Sequence, residues 1–492
     1  MHGYGTYAIA HRHLLDEARS MAPDVEWSII LPTSHHLDVL REVLPVERIL
    51  CLEHEQSRAH PILSNLSELG GYGGNIHADI EVEKKVFKHR PAEQQLARAI
   101  ETYRIYKDFL TRMKATHVLL GHVETFDGKV LISLAKELGM AAIVPTDLRN
   151  IGGSTFSADE QERLPDYRKA RPETLEQARQ FLARFRSNPS PASNPDQFAV
   201  PGETPLPIYR KSFAQRVRGF VSRTLRNPSL FEPALFKISL QYAFPRIRET
   251  VRGVRALRNG RTFDLGSIEQ VPNRFIYYPL QTTPESSINT PAPYFIDQLR
   301  AIDAIRFAMP SDCTLVVKEH RASIGIRPLS FYRLLRRKAG VQIAHFSVPS
   351  LELIQRAQLT VSVTGTATLE AFLLGRPSLT LGGCFIADYL GGVCPLGEIR
   401  ERIAQAIRHP PADEVVVKAL AEVFSVRYEC IFRSADEPGF YGNRPENIRR
   451  MLSAVLEHIS RLDAFDEGIN GKPVRDAFVN SLREKPPAAG SL

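Results

Sequence analysis

Cysteine is sparse in this 492-residue chain: Cys51, Cys313, Cys384, Cys394 and Cys430 stand far apart, odd in number, with no CxxC pair and no Cys/His cluster. That spacing excludes a disulfide framework and a metal centre built on cysteine, and it fits a reducing compartment. Long apolar runs are lacking too. The opening stretch MHGYGTYAIAHRH has no apolar core of signal-peptide length, and no uncharged run elsewhere is long and apolar enough to span a bilayer. The chain reads as cytoplasmic, peripheral at the inner face of the plasma membrane if it meets a membrane at all. Acidic residues nearly vanish between positions 205 and 261, where thirteen Lys or Arg face only Glu232 and Glu249, whereas the remainder is slightly acidic despite the overall +8. No helix-turn-helix, RNP or zinc-finger signature accompanies those cations, so nucleic acid is not the expected partner.

What is present points to two α/β domains. A chain of this length exceeds one ordinary hydrophobic core. In the first half WSIILPTS, ERILCLE, THVLLGHVE and AAIVPTD read as strands, and DGKVLISLAKELGM as a helix by its apolar spacing. Between the second and third strands, positions 81–114 read as one or two long amphipathic helices. The second half alternates more regularly. RFIYYPL, TLVVKEH, VQIAHF, LTVSVTG and SLTLGG are strands, separated by helix-like stretches, the order of a doubly wound parallel sheet. Ser187 to Pro207, rich in Pro, Ser and Asn, is the clearest linker. The expected division is 1–186, a linker and basic amphipathic segment over 187–262, a second Rossmann-like unit over 263–408, and closing helices with a frayed tail over 409–492.

Strand ends carry the chemistry in such sheets, because ligands bind beyond the carboxyl ends of the strands. Three ends in the second half bear polar groups: Gln281 with Thr282, Thr283, Pro284 and Glu285; Lys318 with Glu319, His320 and Arg321; and Thr364, Gly365, Thr366 and Thr368 before Glu370. Together they suggest one shared crevice. Each has a plainer alternative. Glu285 also suits the first turn of a helix, where an acid favours the helix dipole. His320, Lys318 and Arg321 also suit solvated surface positions, and Thr364 or Thr366 a helix cap. The TGTATLEAFLLG stretch is the most specific, since Gly365 allows close backbone approach and the following helix start offers N–H groups to an anion.

These residues resemble a known group. SVTGTATLEAFLLGRPSLTLGG is similar to the donor-binding segment of two-domain GT-B glycosyltransferases. IYYPLQTTPESS followed by LVVKEHRASIGIR more narrowly resembles the bacterial capsular polysaccharide biosynthesis proteins, which include the β-Kdo transferases. The resemblance spans Phe275 to Gly383, and GHVETFDG and PTDLRNIGG extend it faintly into the first half. It implies a GT-B-like fold, two Rossmann-type parallel-sheet domains facing a cleft, with closing C-terminal helices. The group's Gln-Pro-Glu and His-Pro motifs fall on Pro284, Glu285 and His320, with Thr283 in place of Gln and Arg321 in place of Pro.

By that resemblance Glu285 and His320 are catalytic. Gln281, Lys318, Arg321, Thr364, Gly365, Thr366, Thr368 and Glu370 bind a nucleotide-sugar donor, CMP- or UDP-linked, without a metal. The first domain supplies the acceptor side, with Glu124 and Asp127 as candidate acids and Asp147 behind them. The implied activity moves a sugar, Kdo or a relative, to a bacterial surface polysaccharide or glycolipid. The alternatives are a sugar-nucleotide epimerase and a non-catalytic partner in polysaccharide assembly or export. The basic segment 205–261, mixing arginines with Phe, Leu and Ile, is expected to meet an anionic membrane surface. The start, MHGYGTYAIAHRHLLDEA, reads as loop, where a strand would ordinarily precede it.

Overall fold

The computed structural model describes residues 1, 7–34, 37–58, 66–83, 91–121, 123, 125–190, 245–282, 286–320, 323–432 and 441–470. In the first half, β1 (Ile29–Leu31) pairs in parallel with β2 (Ile49–Cys51), and β3 (His117–Leu119) pairs in parallel with β4 (Ala141–Asp147). The chain then reverses and β5 (Ser154–Ser157) returns antiparallel on β4. The region over 81–114 resolves into helices Ile76–Glu83 and Ala92–Arg112, flanking residues outside the described set. One expectation is corrected by the fold. The opening segment is helical from Tyr7 to Met21, because Ala10, Leu14 and Ala18 recur at helical spacing and bury against the C-terminal helix Pro445–Asn470.

The second half holds a five-stranded, all-parallel sheet: β6 (Phe275–Pro279), β7 (Thr314–Lys318), β8 (Val341–Ala344), β9 (Leu359–Ser362) and β10 (Ser378–Thr380). All five strands expected from the sequence are present. Both faces are covered, which is why these strands are nearly continuous apolar runs rather than alternating ones. Ile276 and Tyr278 face Ile302, Tyr332 and Leu335, while Phe275 and Tyr277 face Leu353, Ile354, Ala367 and Ala371. The spatial order is β10-β9-β6-β7-β8. Chain progress therefore runs outward one way from β6 through β7 to β8, then restarts on the other side of β6 with β9 and β10.

The C-terminal part folds back on the first half. Ser154 and Tyr428 exchange backbone hydrogen bonds at 2.9 and 2.8 Å, extending the edge at β5, and Thr155 donates its hydroxyl to the Val426 carbonyl at 2.8 Å. Helix Asp413–Ser425 packs on helix Pro172–Ser187. Of the expected linker and basic segment, positions 191–244 lie outside the described residues, and Pro245–Gly260 forms a helix.

Candidate functional site

Restarting the chain beside β6 makes the carboxyl ends of β6 and β9 the switch point of the sheet, the place where open parallel sheets bind ligands in a crevice. The strand ends meet there through side chains. Gln281, after β6, lies against Gly365, after β9, so closely that a Cβ on Gly365 would sit 2.5 Å from the Gln281 amide nitrogen. Gly365 has an extended backbone and is required at this point for space, not for an unusual turn. It caps the helix Thr366–Leu373 without a side-chain cap bond, and the first-turn amides of such a helix start suit an anion. Its own turn is tied internally. Gly365 N–H donates to Ser362 Oγ at 3.1 Å, and the Thr368 hydroxyl donates to the Gly365 carbonyl at 2.9 Å. Thr368 and Thr364 are buried, so only Gly365 and Thr366 of this turn are partly open.

On the other side of β6, Thr282 Oγ1 and His320 Nδ1 are hydrogen-bonded at 2.7 Å, and His320 is exposed. Beneath them lies a network that sequence reasoning did not single out. The Glu319 carboxylate, buried, accepts from Arg327 Nε at 2.8 Å, from the Tyr332 hydroxyl at 2.6 Å and from the His320 backbone N–H at 2.6 Å. Arg327 also donates to the Gln281 carbonyl. A buried acid with three donors and a guanidinium spanning two strand ends fixes the edge at which His320 is presented. The available signal was Glu319 between Lys318 and His320 with an arginine eight residues on. Nothing in that spacing alone shows that the loop returns.

Lys318 and Glu370 occupy a different layer. Lys318 points from β7 into the face covered by helices Ser350–Arg356 and Thr366–Leu373, donating to Ser350 Oγ at 2.7 Å. Glu370 is buried on the second of those helices. Burial pushes the Lys318 ammonium down to about 8, and the Glu370 carboxylate only partly opposes it. Both expected donor ligands thus sit behind the crevice wall. Glu285 and Arg321 lie outside the described residues, as does Glu124.

The first half contributes a facing wall. Arg149, after β4, reaches the Thr364 carbonyl at 3.5 Å and pairs with Glu162 at 3.3 Å. Gln161 donates to the Pro291 carbonyl at 3.0 Å. Asp127 does not line this wall. It is buried in the first turn of helix Phe126–Glu137 and accepts from the Tyr106 hydroxyl at 3.4 Å, with burial raising its carboxyl above the usual range. Lys129, two residues on and on the other side of that helix, meets Asp79 at 3.3 Å and Glu160, and reaches the Thr290 carbonyl of the second half at 3.5 Å. Among the described residues no group of His, Cys, Asp or Glu is arranged to hold a metal ion. A separate open groove of about 580 Å³ lies between helices Gln298–Ala308 and Ile399–Arg408, away from these strand ends.

No family model and no curated protein matches the chain. Solved structures similar to it include a beta Kdo 2,7 transferase, KpsC of Thermosulfurimonas dismutans, 14% identical over 76% of this chain and 95% of that one, with a TM-score of 0.35. The beta Kdo 2,4 transferase of the same KpsC is 12% identical over 68% and 85%, TM-score 0.31. A UDP-GlcNAc 2-epimerase of Methanocaldococcus jannaschii is 12% identical over 86% and 98%, TM-score 0.24. Likenesses this distant neither separate a transferase from an epimerase nor assign a residue.

Proposed function

We propose that the crevice beyond β6, β7 and β9 binds the nucleotide of a nucleotide sugar, and that the protein is a GT-B-like glycosyltransferase. The observation that carries this reading is the placement of the Gly365 turn and the exposed His320 on either side of Gln281 and Thr282, at the switch point of a parallel sheet. The amides of the Thr366–Leu373 start and the Thr366 hydroxyl take the phosphates, whose charge suits a helix N-terminus. His320, held by Thr282 and the Glu319–Arg327 network, serves the reacting end as acid or base, with Glu285 as its partner. Lys318 and Glu370 act from behind, on the helix that carries the turn. The first half presents the acceptor, with Glu124 and Asp147 the remaining candidate acids there.

The acceptor is a bacterial surface polysaccharide or glycolipid and the sugar is Kdo or a related one. The chain works in the cytoplasm at an anionic membrane surface, through the basic segment that ends in helix Pro245–Gly260. Each arginine near such a surface adds roughly 1 kcal/mol. Calorimetric titration with CMP, UDP and GDP tests the donor site: one of them binds, and His320→Ala and Thr366→Val weaken it. Nucleotide release that depends on acceptor then marks a transferase. Conversion of the sugar nucleotide alone marks an epimerase, and failure of all three nucleotides to bind removes the reading.

A further inference from the structure

Helix Pro245–Gly260 belongs to the basic segment, yet its inner side grips the site. Arg252 donates from Nε and from its second guanidinium nitrogen to the Ile324 carbonyl, both at 3.2 Å, and Asn259 donates to the Arg327 carbonyl at 3.1 Å. Gly325 lies against the helix backbone itself. A Cβ there would fall 2.2 Å from the Arg252 carbonyl oxygen, and its φ of +73° is one that side chains disfavour. The loop held in this way is the one that delivers Arg327 to Glu319 and to the Gln281 carbonyl.

Among the described residues the outer side of the same helix has no such cover. Val254 and Leu257, one turn apart, are 63% and 77% exposed. Arg255, Arg258 and Arg261 are exposed alongside them, form no ion pair among the described residues, and have no acid near them in sequence between positions 250 and 262. Apolar side chains at the most exposed points of a convex helix, flanked by cations, suit the interface of an anionic bilayer.

We propose that Pro245–Gly260 is a lever between an anionic lipid surface and the nucleotide crevice. Lipid contact at Val254, Leu257 and the outer arginines holds the helix. The helix holds loop 323–327 through Arg252 and Asn259, and the loop fixes Arg327 under the ends of β6 and β7. The surface therefore tightens nucleotide binding, and by linkage the nucleotide tightens surface binding by the same factor. This rests on the membrane part of the proposed function and adds to it the regulation of the donor site.

The test uses the full chain, vesicles of phosphatidylglycerol with phosphatidylcholine or of phosphatidylcholine alone, and CMP, UDP and GDP as probes. Anionic vesicles are expected to tighten the nucleotide that binds by roughly fivefold or more, and to slow hydrogen exchange in 323–327. Arg255→Gln with Arg258→Gln leaves nucleotide affinity without vesicles unchanged and lowers vesicle binding by roughly 30-fold. Arg252→Lys keeps vesicle binding and loses the tightening. Hydrogen exchange reads the coupling even if no probe binds. Vesicle binding with neither tightening nor protection overturns the lever and leaves the membrane reading standing. No vesicle binding overturns both. An equal effect of neutral vesicles, or saturation of the effect by poly-glutamate in their absence, overturns the lipid assignment.

Discussion

Two buried lysines, each 8% exposed, mark two regions with opposite characters. Lys129, where the halves meet, is pushed down by burial, but Glu160 and Asp79 more than offset this and hold its ammonium above the ordinary value. Lys318, behind the crevice, has one hydroxyl partner and a carboxylate that opposes burial only in part, and it falls to about 8. Equal burial with opposite outcome shows that partners, not depth, decide whether a buried charge is tolerated. The signs follow. Lys129 contributes stability that is fully present below its unfolded value of 10.5 and is lost only as pH rises through its higher folded value. Lys318 costs stability below about 8, at most about 3 kcal/mol, and that cost disappears as pH rises from 8 towards 10.5. The first region is a fastening. The second is an under-paired edge, of the kind found where function takes precedence over stability.

The strongest way to break this contrast is Lys129→Met. It leaves Asp79 and Glu160 buried without their cation and is expected to cost about 3–5 kcal/mol in urea unfolding; a second change, Glu160→Gln, should recover part of that. A loss below about 1 kcal/mol would remove the fastening role. Lys318→Met sharpens the other side. Wild type should gain about 2–3 kcal/mol relative to this variant between about pH 8 and 10.5, with the difference between them flat from about 6 to 8. A wild type that loses ground to the variant as pH rises contradicts that sign. Gly365→Ala forces only the end of the Gln281 side chain to move. Stability should fall by about 1 kcal/mol or less while nucleotide affinity drops, and unchanged affinity would detach the turn from the site. The smallest effect on stability belongs to His320→Ala, within about 0.5 kcal/mol for an exposed side chain. A larger drop in melting temperature would make His320 structural.

Legibility differed between the halves for physical reasons. The strands of the second sheet are buried on both faces and end in turns, so composition alone exposes them. β5 was not legible, because STFS is only four residues long and returns antiparallel on β4, with a further bridge from Ser154 to Tyr428, far along the chain. The strand-end residues were found where a parallel sheet places them, but their depth was not. Lys318 and Gln281 differ in role by the face to which the pleat turns them and by which helix covers it. Glu319 was read only as one polar residue of a strand end and Arg327 was not read at all, because their pairing lies in a loop that returns to its own strand. The helix at Tyr7 was hidden by a Gly and Tyr opening that looks like loop, and its apolar face finds its partner only in Pro445–Asn470.

That last pairing bears on how the protein is made. Ala10, Leu14, Ile143 and Phe156 share one core with Tyr428, Ile448, Leu452 and Val455. At about 5–20 residues per second, a ribosome needs roughly 20–90 s to travel from Ala10 to the second group. Throughout that interval the earliest-made helix has only Leu119, Ile143 and Phe156 of this core to cover its apolar face, and the part that meets Pro445–Asn470 waits for the end of synthesis.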